Sequence, residues 1–290
     1  MVELGRMNRL KVVKDVDFGL YLDGGDVDEG GRGEILLPMR YVPKDCAIGD
    51  EIDVFIYRDS EDRVIATTEK PYVMLGGFAC LKVVSVSHAG AFLDWGLPKD
   101  LLVPFDEQEH RMEEGKRYVV GVYLDEDSDR IVASARLDAL LYDESEDDFV
   151  AGEEVDLFVA NKSDLGYKII VNTSHWGLLH FNEVLRPLKR GEQLRGFIQN
   201  IREDGKIDLT LHKRGRDKTD DAVDMVMQAL KREDGFLPLN DKSPPQDIAG
   251  RVNLSKGMFK KAVGSMYKRH IITLDADGIR IAASKQGSDR

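Results

Sequence analysis

Residues 178–180, Leu178-Leu179-His180, are the third copy of a short apolar segment that decides the fold of this chain. The earlier copies are Ile35-Leu36-Leu37-Pro38 and Leu101-Leu102-Val103-Pro104. A glycine precedes each copy, and a glycine with a polar residue follows it; in chain order these are Gly19, Gly90 and Gly166, then Gly49-Asp50, Gly115-Lys116 and Gly191-Glu192. The recurrence indicates one supersecondary unit that is repeated three times.

The spacing of these marks supports a true repeat. Three pairs of marks in the second and third copies are each 76 residues apart: Gly90 and Gly166, Gly115 and Gly191, and Arg130 and Lys206. Each copy contains about five short alternating strands within roughly 60 residues. A glycine inside a strand is typical of a sharp bend in a small closed or nearly closed barrel. The sequence therefore predicts a mainly β protein with three tandem five-stranded OB barrels, over residues 1–70, 71–142 and 152–213.

The C-terminal part has a different pattern. The apolar spacing in residues 219–231 predicts a helix, and Ser243 and Ser255 are predicted to be the N-caps of two more, with Pro244 as the first residue of the second helix. Two apolar runs around Asp275-Ala276-Asp277-Gly278 predict a hairpin. Three helices and a hairpin predict a winged helix over residues 218–285. The acidic run at residues 143–151 is interpreted as a solvated linker.

The charge of the chain is unevenly distributed. The net charge is −12, but residues 1–142 carry −11 and residues 152–290 carry +4. A polyanion is therefore expected to bind the second half. No run of 18 apolar residues is present, so no membrane partner is expected. The chain has two cysteines and no apolar leader, which predicts a reducing, cytoplasmic location.

The sequence gives no support for an enzyme, and no cofactor or small-molecule substrate is expected. The acidic loop from Asp23 to Glu34 resembles a calcium loop only superficially, because Asp28 occupies the place that needs glycine. No glycine-rich segment is followed by the Lys-Ser/Thr pair of a phosphate loop. No nucleophile with a suitable base is visible, and no metal site is predicted.

These repeats resemble S-one domains, the OB-fold RNA-binding module of ribosomal and ribonuclease proteins. The best match is Gly177-Leu178-Leu179-His180 followed by Asn182-Glu183. Three such units before Asp241-Lys242-Ser243-Pro244 and the segment at residues 255–262 are similar to the bacterial conserved virulence factor B family. That resemblance covers nearly the whole chain. It implies RNA binding and post-transcriptional regulation, and it does not imply catalysis.

The candidate RNA-binding residues combine flat rings with cations, since single-strand binding uses both. The resemblance places RNA on the strand-two and strand-three face, where no copy keeps the full set of aromatic residues and histidine. The predicted site residues in the third barrel and beyond it are Tyr167, Lys168, His180, Lys189, Arg190, Arg195, Arg202, Arg214 and Arg216. The winged helix adds Lys256, Lys260, Lys261, Lys268 and Arg269. Phe18, Tyr21 and Phe92 are secondary stacking candidates in the acidic barrels.

Two further hypotheses stay open from the sequence. The acidic first half favours a protein-interaction adaptor that uses the OB barrels and the winged helix as docking surfaces. A DNA-binding transcriptional regulator is a weaker alternative, because the basic helix carries lysines, whereas base readout favours arginine, asparagine or glutamine.

Overall fold

A computed structural model describes residues 2–25, 33–145, 148–212 and 218–282 of the chain. The chain divides into two compact units, Met1–Leu141 and Tyr142–Arg290. The first unit contains two five-stranded units of the predicted kind, and the second contains the third such unit and the winged helix. We refer to the three five-stranded units as the first, second and third barrel.

The first barrel is closed. Its strands follow the order β1-β2-β3-β5-β4, and a parallel contact between β3 and β5 at Leu36 and Ile65 completes the ring. The strands are β1 (Met7–Val16), β2 (Gly19–Asp23), β3 (Glu34–Pro38), β4 (Glu51–Arg58) and β5 (Val64–Thr67). Inward-facing residues such as Val12, Leu20 and Leu37 form its core. This topology is the one expected for an OB barrel.

The second barrel has the same strand order but remains open. Its strands are β6 (Phe78–Val86), β7 (Gly90–Asp94), β8 (Leu101–Pro104), β9 (Arg117–Asp125) and β10 (Arg130–Ser134). They form a sheet in the order β10-β9-β6-β7-β8, and in this part of the described chain no ladder joins β8 to β10. The sequence predicts closed or nearly closed barrels, and the closed first barrel and the open second barrel both agree with that prediction.

The third barrel is closed like the first. Its strands are β11 (Glu154–Lys162), β12 (Gly166–Val171), β13 (His175–His180), β14 (Gln193–Ile201) and β15 (Ile207–Thr210). A parallel ladder from Gly177 to Leu179 on β13 pairs with Ile207 to Leu209 on β15. The order of the strands matches that of the first barrel.

The repeated glycine has the same structural role in all three barrels. Gly19, Gly90 and Gly166 begin the second strand and lie opposite Pro38, Pro104 and His180. A Cβ on any of these glycines would lie closer than 3.0 Å to a carbonyl oxygen of the third strand. Gly19 and Gly90 also have φ of +156° and +149°. The second and third strands can therefore cross closely only where the second strand has no side chain.

A bulge in the first strand recurs as well. The register between the first and second strands shifts at Val12/Lys14, at Val83/Ser85 and at Val159/Asn161. In each copy, the carbonyl oxygen of the valine before the bulge accepts a hydrogen bond from the N–H of the glycine that precedes the fourth strand. The distances are 2.8 to 2.9 Å, and the pairs are Val12 with Gly49, Val83 with Gly115 and Val159 with Gly191. Bulges increase local twist, so the repeated shift helps each sheet to coil.

The first two barrels are joined through their last hairpins. The Arg58 guanidinium pairs with the Asp129 carboxylate, and Arg130 pairs with Asp62. Lys99 Nζ donates to the carbonyl oxygen of Asp59 at 2.6 Å. Each hairpin thus supplies both an arginine and an aspartate to the other, and the two barrels form one unit.

The C-terminal part is a winged helix, as the sequence predicts. It contains α1 (Lys218–Arg232), β16 (Phe236–Leu237), α2 (Pro245–Val252), α3 (Lys256–Lys268), β17 (Ile272–Asp275) and β18 (Gly278–Ile281). The strands pair in the order β16-β18-β17. Ser255 caps α3, because its side chain accepts a hydrogen bond from the N–H of Met258 at 3.3 Å.

The predicted cap of α2 was wrong by one residue. Pro244, not Ser243, is the N-cap, and Pro245 begins the helix. The physical reason is that a residue before proline avoids the helical region, and Pro244 precedes Pro245 with ψ of 145°. Ser243 Oγ instead accepts a hydrogen bond from the N–H of Asn240 at 2.9 Å.

The start of the acidic segment between the second and third barrels is hydrogen-bonded to the third barrel. The N–H of Tyr142 donates to Ser174 O at 2.9 Å, and the N–H of Trp176 donates to Tyr142 O at 2.8 Å. The N–H of Ser145 donates to Gly205 O. The beginning of the expected linker is therefore held on the third barrel, whereas residues 146–147 lie outside the described residues.

Replacing Gly90 by alanine tests the close approach of the strands. We expect Gly90→Ala to lower the stability of the second barrel by about 2–4 kcal/mol, because the added Cβ meets the carbonyl oxygen of Val103. Hydrogen exchange of peptides from β6 to β9, measured by mass spectrometry, reports this loss. Gly115→Ala is the matched control: Gly115 also has positive φ but open space around it, so we expect only about 1 kcal/mol. Equal effects of both changes would contradict this account.

Candidate nucleic-acid interface

Side chains along β12 alternate between the core and the outer face of the third barrel. Tyr167, Ile169 and Val171 belong to the buried core, and Lys168 points to the other side. We call the outer surface of β11, β12 and β13, together with the turn after β13, the strand face. The family resemblance predicts RNA binding on the part of this surface formed by β12 and β13.

Tyr167 is a core residue, so its predicted role as an exposed stacking ring is not available to it. Its side chain is 5% exposed, and its hydroxyl accepts a hydrogen bond from the N–H of Leu188 at 3.0 Å. The repeat spacing already placed Tyr167 at the position of Leu20 and Ala91, which are both buried. The alternation of the strand, rather than the residue type, decides which way this ring points.

Phe181 is the exposed aromatic ring that the sequence analysis missed. It lies directly after β13, is 36% exposed, and packs edge to face on Tyr167 with ring centroids 5.4 Å apart. Lys162 Nζ lies 5.3 Å from the centre of its ring. Phe181 therefore combines an accessible ring with a neighbouring cation. The repeat spacing could have identified this position, because it aligns Phe181 with Phe105 and Met39.

His180, at the end of β13, shares the carboxylate of Asp208 on β15 with Arg202. Arg202 Nη2 and Nε bind the two oxygens of Asp208 at 2.6 Å and 2.9 Å. His180 Nε2 lies 3.4 Å from Asp208 Oδ1. The Arg202 hydrogen bonds hold the pKa of the Asp208 carboxyl below its usual value, against partial burial that raises it. The charge of Arg202 is thus largely balanced within the protein.

Other predicted cations of the third barrel also have protein partners. Lys168 Nζ lies 3.8 Å from the centre of the buried Trp176 ring. Arg190 Nη2 donates to Asn161 Oδ1 at 2.7 Å. The exposed Arg195 pairs with Glu154 at 3.4 Å and with Asp156 at 3.2 Å. Lys189 is exposed at the turn before β14, and Arg214 and Arg216 lie outside the described residues.

One face of α3 carries exposed lysines. Residues at helical spacing point to solvent along it, namely Gly257, Lys260, Lys261, Gly264, Tyr267 and Lys268. Tyr267 is 52% exposed. A Cβ on Gly257 or Gly264 would meet nothing within 4 Å. We call this surface the lysine face; packing does not require its two glycines, although each costs helix stability.

The remaining two predicted cations of the winged helix are tied to the protein. Lys256 Nζ donates to the carbonyl oxygen of Ser243 at 2.9 Å and is partly buried. Arg269 is exposed, and its Nη1 lies 3.3 Å from Asp220 Oδ1. Lys256 therefore stabilises the loop before α2 through this hydrogen bond. The sequence pattern did not predict that contact.

One residue of the third barrel is buried in the core of the winged helix. Leu185, in the segment between β13 and β14, belongs to the buried cluster of the winged helix. Its carbonyl oxygen accepts a hydrogen bond from the N–H of Ser255 at 2.6 Å. The buried His212 adds a second connection, since its Nδ1 lies 2.7 Å from Asp221 Oδ2 on α1 and its Nε2 lies 3.1 Å from Glu183 O. Phe181 is therefore close in sequence to the residues that hold the winged helix.

The secondary candidates in the first unit are accessible to different extents. Phe18 is 58% exposed and packs edge to face on Tyr21, whose ring lies 5.3 Å from Lys14 Nζ. Phe92 is half-buried on β7. A further ring, Phe105, stacks with the Arg111 guanidinium at 3.8 Å. Aromatic rings are thus present on all three barrels.

Across residues 2–25, 33–145, 148–212 and 218–282, no group of three or more His, Cys, Asp or Glu side chains is arranged to hold a metal ion. In those ranges, no helix is both long enough and apolar enough to cross a membrane.

Comparisons with known proteins identify two kinds of domain. The S1 (S-one) domain family matches residues 4–69 and 75–136, and the CvfB-like winged helix domain family matches residues 224–281. S1 and winged-helix domains are nucleic-acid-binding modules and are typically not catalytic. These matches support a nucleic-acid partner for this chain.

Full-length relatives show the same similarity. The uncharacterized protein YitL of Bacillus subtilis is 27% identical over 272 residues, which cover 91% of this chain and 89% of that protein. Conserved virulence factor B of Staphylococcus epidermidis is 26% identical, covering 85% and 84%. A solved multidomain protein with nucleic acid binding domains from Streptococcus pneumoniae is 23% identical, with a TM-score of 0.40 over 96% of this chain and 98% of that one.

The Arg202–Asp208 pair predicts a pH-dependent contribution to stability. Because the folded-state pKa of Asp208 is lowered, the pair stabilises the fold above the ordinary carboxyl pKa, and the effect is lost as the pH falls through the lowered value. We expect Arg202→Gln to lower the unfolding free energy by about 1–2 kcal/mol at neutral pH, and the difference to disappear in acid. Urea unfolding followed by Trp176 fluorescence, with Trp95→Phe in every protein, measures this.

Arg195→Gln is the matched control for that experiment. Its ion pairs with Glu154 and Asp156 are exposed, so a change of less than about 0.5 kcal/mol is expected at any pH. A difference for Arg202→Gln that persists unchanged in acid would show that the charge pair is not its source.

Proposed function

We propose that this chain is a non-catalytic protein that binds single-stranded RNA. It belongs to the conserved virulence factor B family by its S1 domains, its CvfB-like winged helix and its homology to proteins of that name. In this proposal the third barrel and the winged helix make the main contacts. The biological role is post-transcriptional regulation of gene expression.

The observation that carries the proposal is the environment of Phe181. The ring is accessible, a lysine lies near it, and His180 precedes it at the end of β13. Single strands bind where bases can stack on a ring while cations contact the phosphates. The neutral ring supplies binding that salt does not screen, and Lys162 supplies binding that salt does screen.

The lysine face of α3 supplies further cations in the same unit. Lys260, Lys261 and Lys268 are exposed there, and Gly257 and Gly264 on the same face leave the helix backbone open to close approach. Because Leu185 and His212 join the winged helix to the third barrel, an RNA strand can contact both without first ordering a linker. Such preorganisation lowers the entropic cost of binding.

The charge distribution supports the same division between the halves. Residues 152–290 carry a net charge of +4, whereas residues 1–142 carry −11. Rings such as Phe18 are available in the first unit, but phosphates there meet an excess of carboxylates. The first two barrels therefore make at most secondary contacts with RNA in this proposal.

A protein-docking role for the first unit is the second candidate function. Phe18 and Met39 are 58% and 48% exposed, and the N–H of Met39 donates to Phe18 O, so the two residues are neighbours. An apolar patch on an acidic unit fits a basic protein partner better than a nucleic acid. A DNA-binding regulator is less favoured, because α3 offers lysines rather than residues that read bases.

The location proposed for this protein is the cytoplasm. Cys46 and Cys80 are both free thiols, which is typical of a reducing compartment. No cofactor or metal has a part in the proposed binding.

Replacing Phe181 by alanine tests the stacking contact. We expect Phe181→Ala to weaken binding of oligouridine by about 1–3 kcal/mol, because a stacking surface is lost. The dependence of affinity on salt should be nearly unchanged, since no cation is removed. Fluorescence anisotropy at several salt concentrations measures both quantities.

Phe18→Ala is the matched control for Phe181→Ala. It removes an even more exposed ring, but from the acidic first barrel, so a change of less than about twofold is expected. If Phe18→Ala weakens binding as much as Phe181→Ala, the third barrel is not the main site. Tyr167→Ala is unsuitable as a test, because loss of a buried ring acts through stability.

A titration of the full chain against single-stranded RNA, single-stranded DNA and duplex DNA at several salt concentrations tests the proposed function as a whole. We expect single-stranded RNA to bind most tightly. Combined Lys260→Ala and Lys261→Ala changes should flatten the slope of log affinity against log salt by roughly 0.7 for each lysine that binds a phosphate. Lys44→Ala with Lys82→Ala, both exposed in the first unit, should leave that slope unchanged. Tightest binding to duplex DNA would contradict the proposal.

A further inference from the structure

The tip of the hairpin formed by β17 and β18, which we call the wing, carries carboxylates. Asp275 ends β17, and Asp277 lies in the turn before β18; both are exposed. Asn240 Nδ2 donates to the carbonyl oxygen of Ala276 at 3.2 Å, which brings the exposed Asp241 beside the same turn. The exposed Lys242 lies in the same loop, where its N–H donates to Asn240 Oδ1 at 2.9 Å, and its charge opposes that of Asp241. The carboxylates of the wing tip itself are therefore Asp275 and Asp277.

The wing carries little positive charge that could bind a polyanion. Arg280 is the only cation between Ile272 and Ile281. Its Nε lies 3.2 Å from Asp275 Oδ2, and its guanidinium stacks 4.6 Å from the centre of the Phe236 ring. This arginine is thus engaged by a carboxylate and by a ring of its own sheet. The wing tip remains negative beyond it.

The wing follows the lysine face directly in the chain. Three residues separate Lys268 from β17, and the N–H of Ile271 donates to Met266 O at 2.9 Å. A strand advances about 3.3 Å per residue, so the wing tip lies roughly 13 Å beyond the point where α3 connects to the sheet. Positive and negative surfaces therefore occupy neighbouring parts of one small domain.

Single and double strands meet this arrangement differently. A duplex carries one charge per about 1.7 Å of its axis, twice the density of a single strand, and holds phosphates on both sides of a helix that enters its groove. A flexible single strand can follow the lysine face alone. Repulsion from the wing tip is consequently larger for the duplex.

We propose that the wing-tip carboxylates, Asp277 foremost, set the specificity of the winged helix by excluding duplex nucleic acid from the lysine face. This inference rests on the proposed function and adds to it a repulsive element against the competing ligand.

Charge changes at Asp277 test the inference in the full chain. Asp277→Asn should raise the affinity for a short DNA duplex roughly twofold to threefold, and Asp277→Lys roughly fivefold or more, as a repulsive contact is removed and then reversed. Affinity for oligouridine should change less than about twofold for Asp277→Asn. Asp234→Asn is the matched control: this exposed carboxylate precedes β16, at the opposite end of the sheet from the wing tip, and asparagine tolerates its positive φ.

The outcomes separate this inference from the proposed function. Wild-type protein that binds oligouridine, with duplex affinity that rises in the order Asp, Asn, Lys at position 277 and not for Asp234→Asn, supports both. Oligouridine binding with unchanged duplex affinity in all variants overturns the inference and leaves the proposed function standing. Absence of oligouridine binding by the wild type overturns the proposed function itself. A duplex gain for Asp234→Asn equal to that of Asp277→Asn also overturns the inference, because it reflects net charge alone.

Discussion

Each barrel is built around one close approach between its second and third strands. At Gly19, Gly90 and Gly166 the carbonyl of the facing strand occupies the space that a Cβ would need. This contact sets the angle at which the strands cross, and the bulge in the first strand adds the twist that the remaining strands follow. The turn after the third strand therefore emerges at the same place in each copy. In the third barrel that turn carries Phe181 on the outside and Leu185 toward the winged helix.

The fold was largely predictable because its decisive residues lie close together in the sequence and repeat. The glycine spacing predicted the three repeats, and the structure pairs Gly166 with His180 as it pairs Gly19 with Pro38. The Ser255 cap followed from a local rule about unsatisfied N–H groups. The cap of α2 was misplaced because two rules conflicted there, and the restriction imposed by Pro245 on Pro244 was the stronger.

The site was less predictable, because exposure depends on packing across the fold. Tyr167 was selected by residue type beside the glycine, although strand alternation places it in the core. Phe181 was overlooked because it follows the strand rather than lying in it. The sequence analysis treated Arg195 and Arg202 as cations available to RNA. In the structure, Asp156 pairs with Arg195 and Asp208 pairs with Arg202, and both aspartates come from other strands. Such long-range pairing of charges cannot be read from a linear count.

The burial of Leu185 in the core of the winged helix has a consequence for how the chain can be divided. Leu185 belongs to the barrel by sequence and to the winged helix by burial. A winged helix separated from the barrel would have a hole in its interior, and the barrel alone would expose a leucine to water. The third barrel and the winged helix are therefore expected to unfold and refold as a single cooperative unit. A protein in which one of them is replaced by an unrelated domain would therefore lose stability in both.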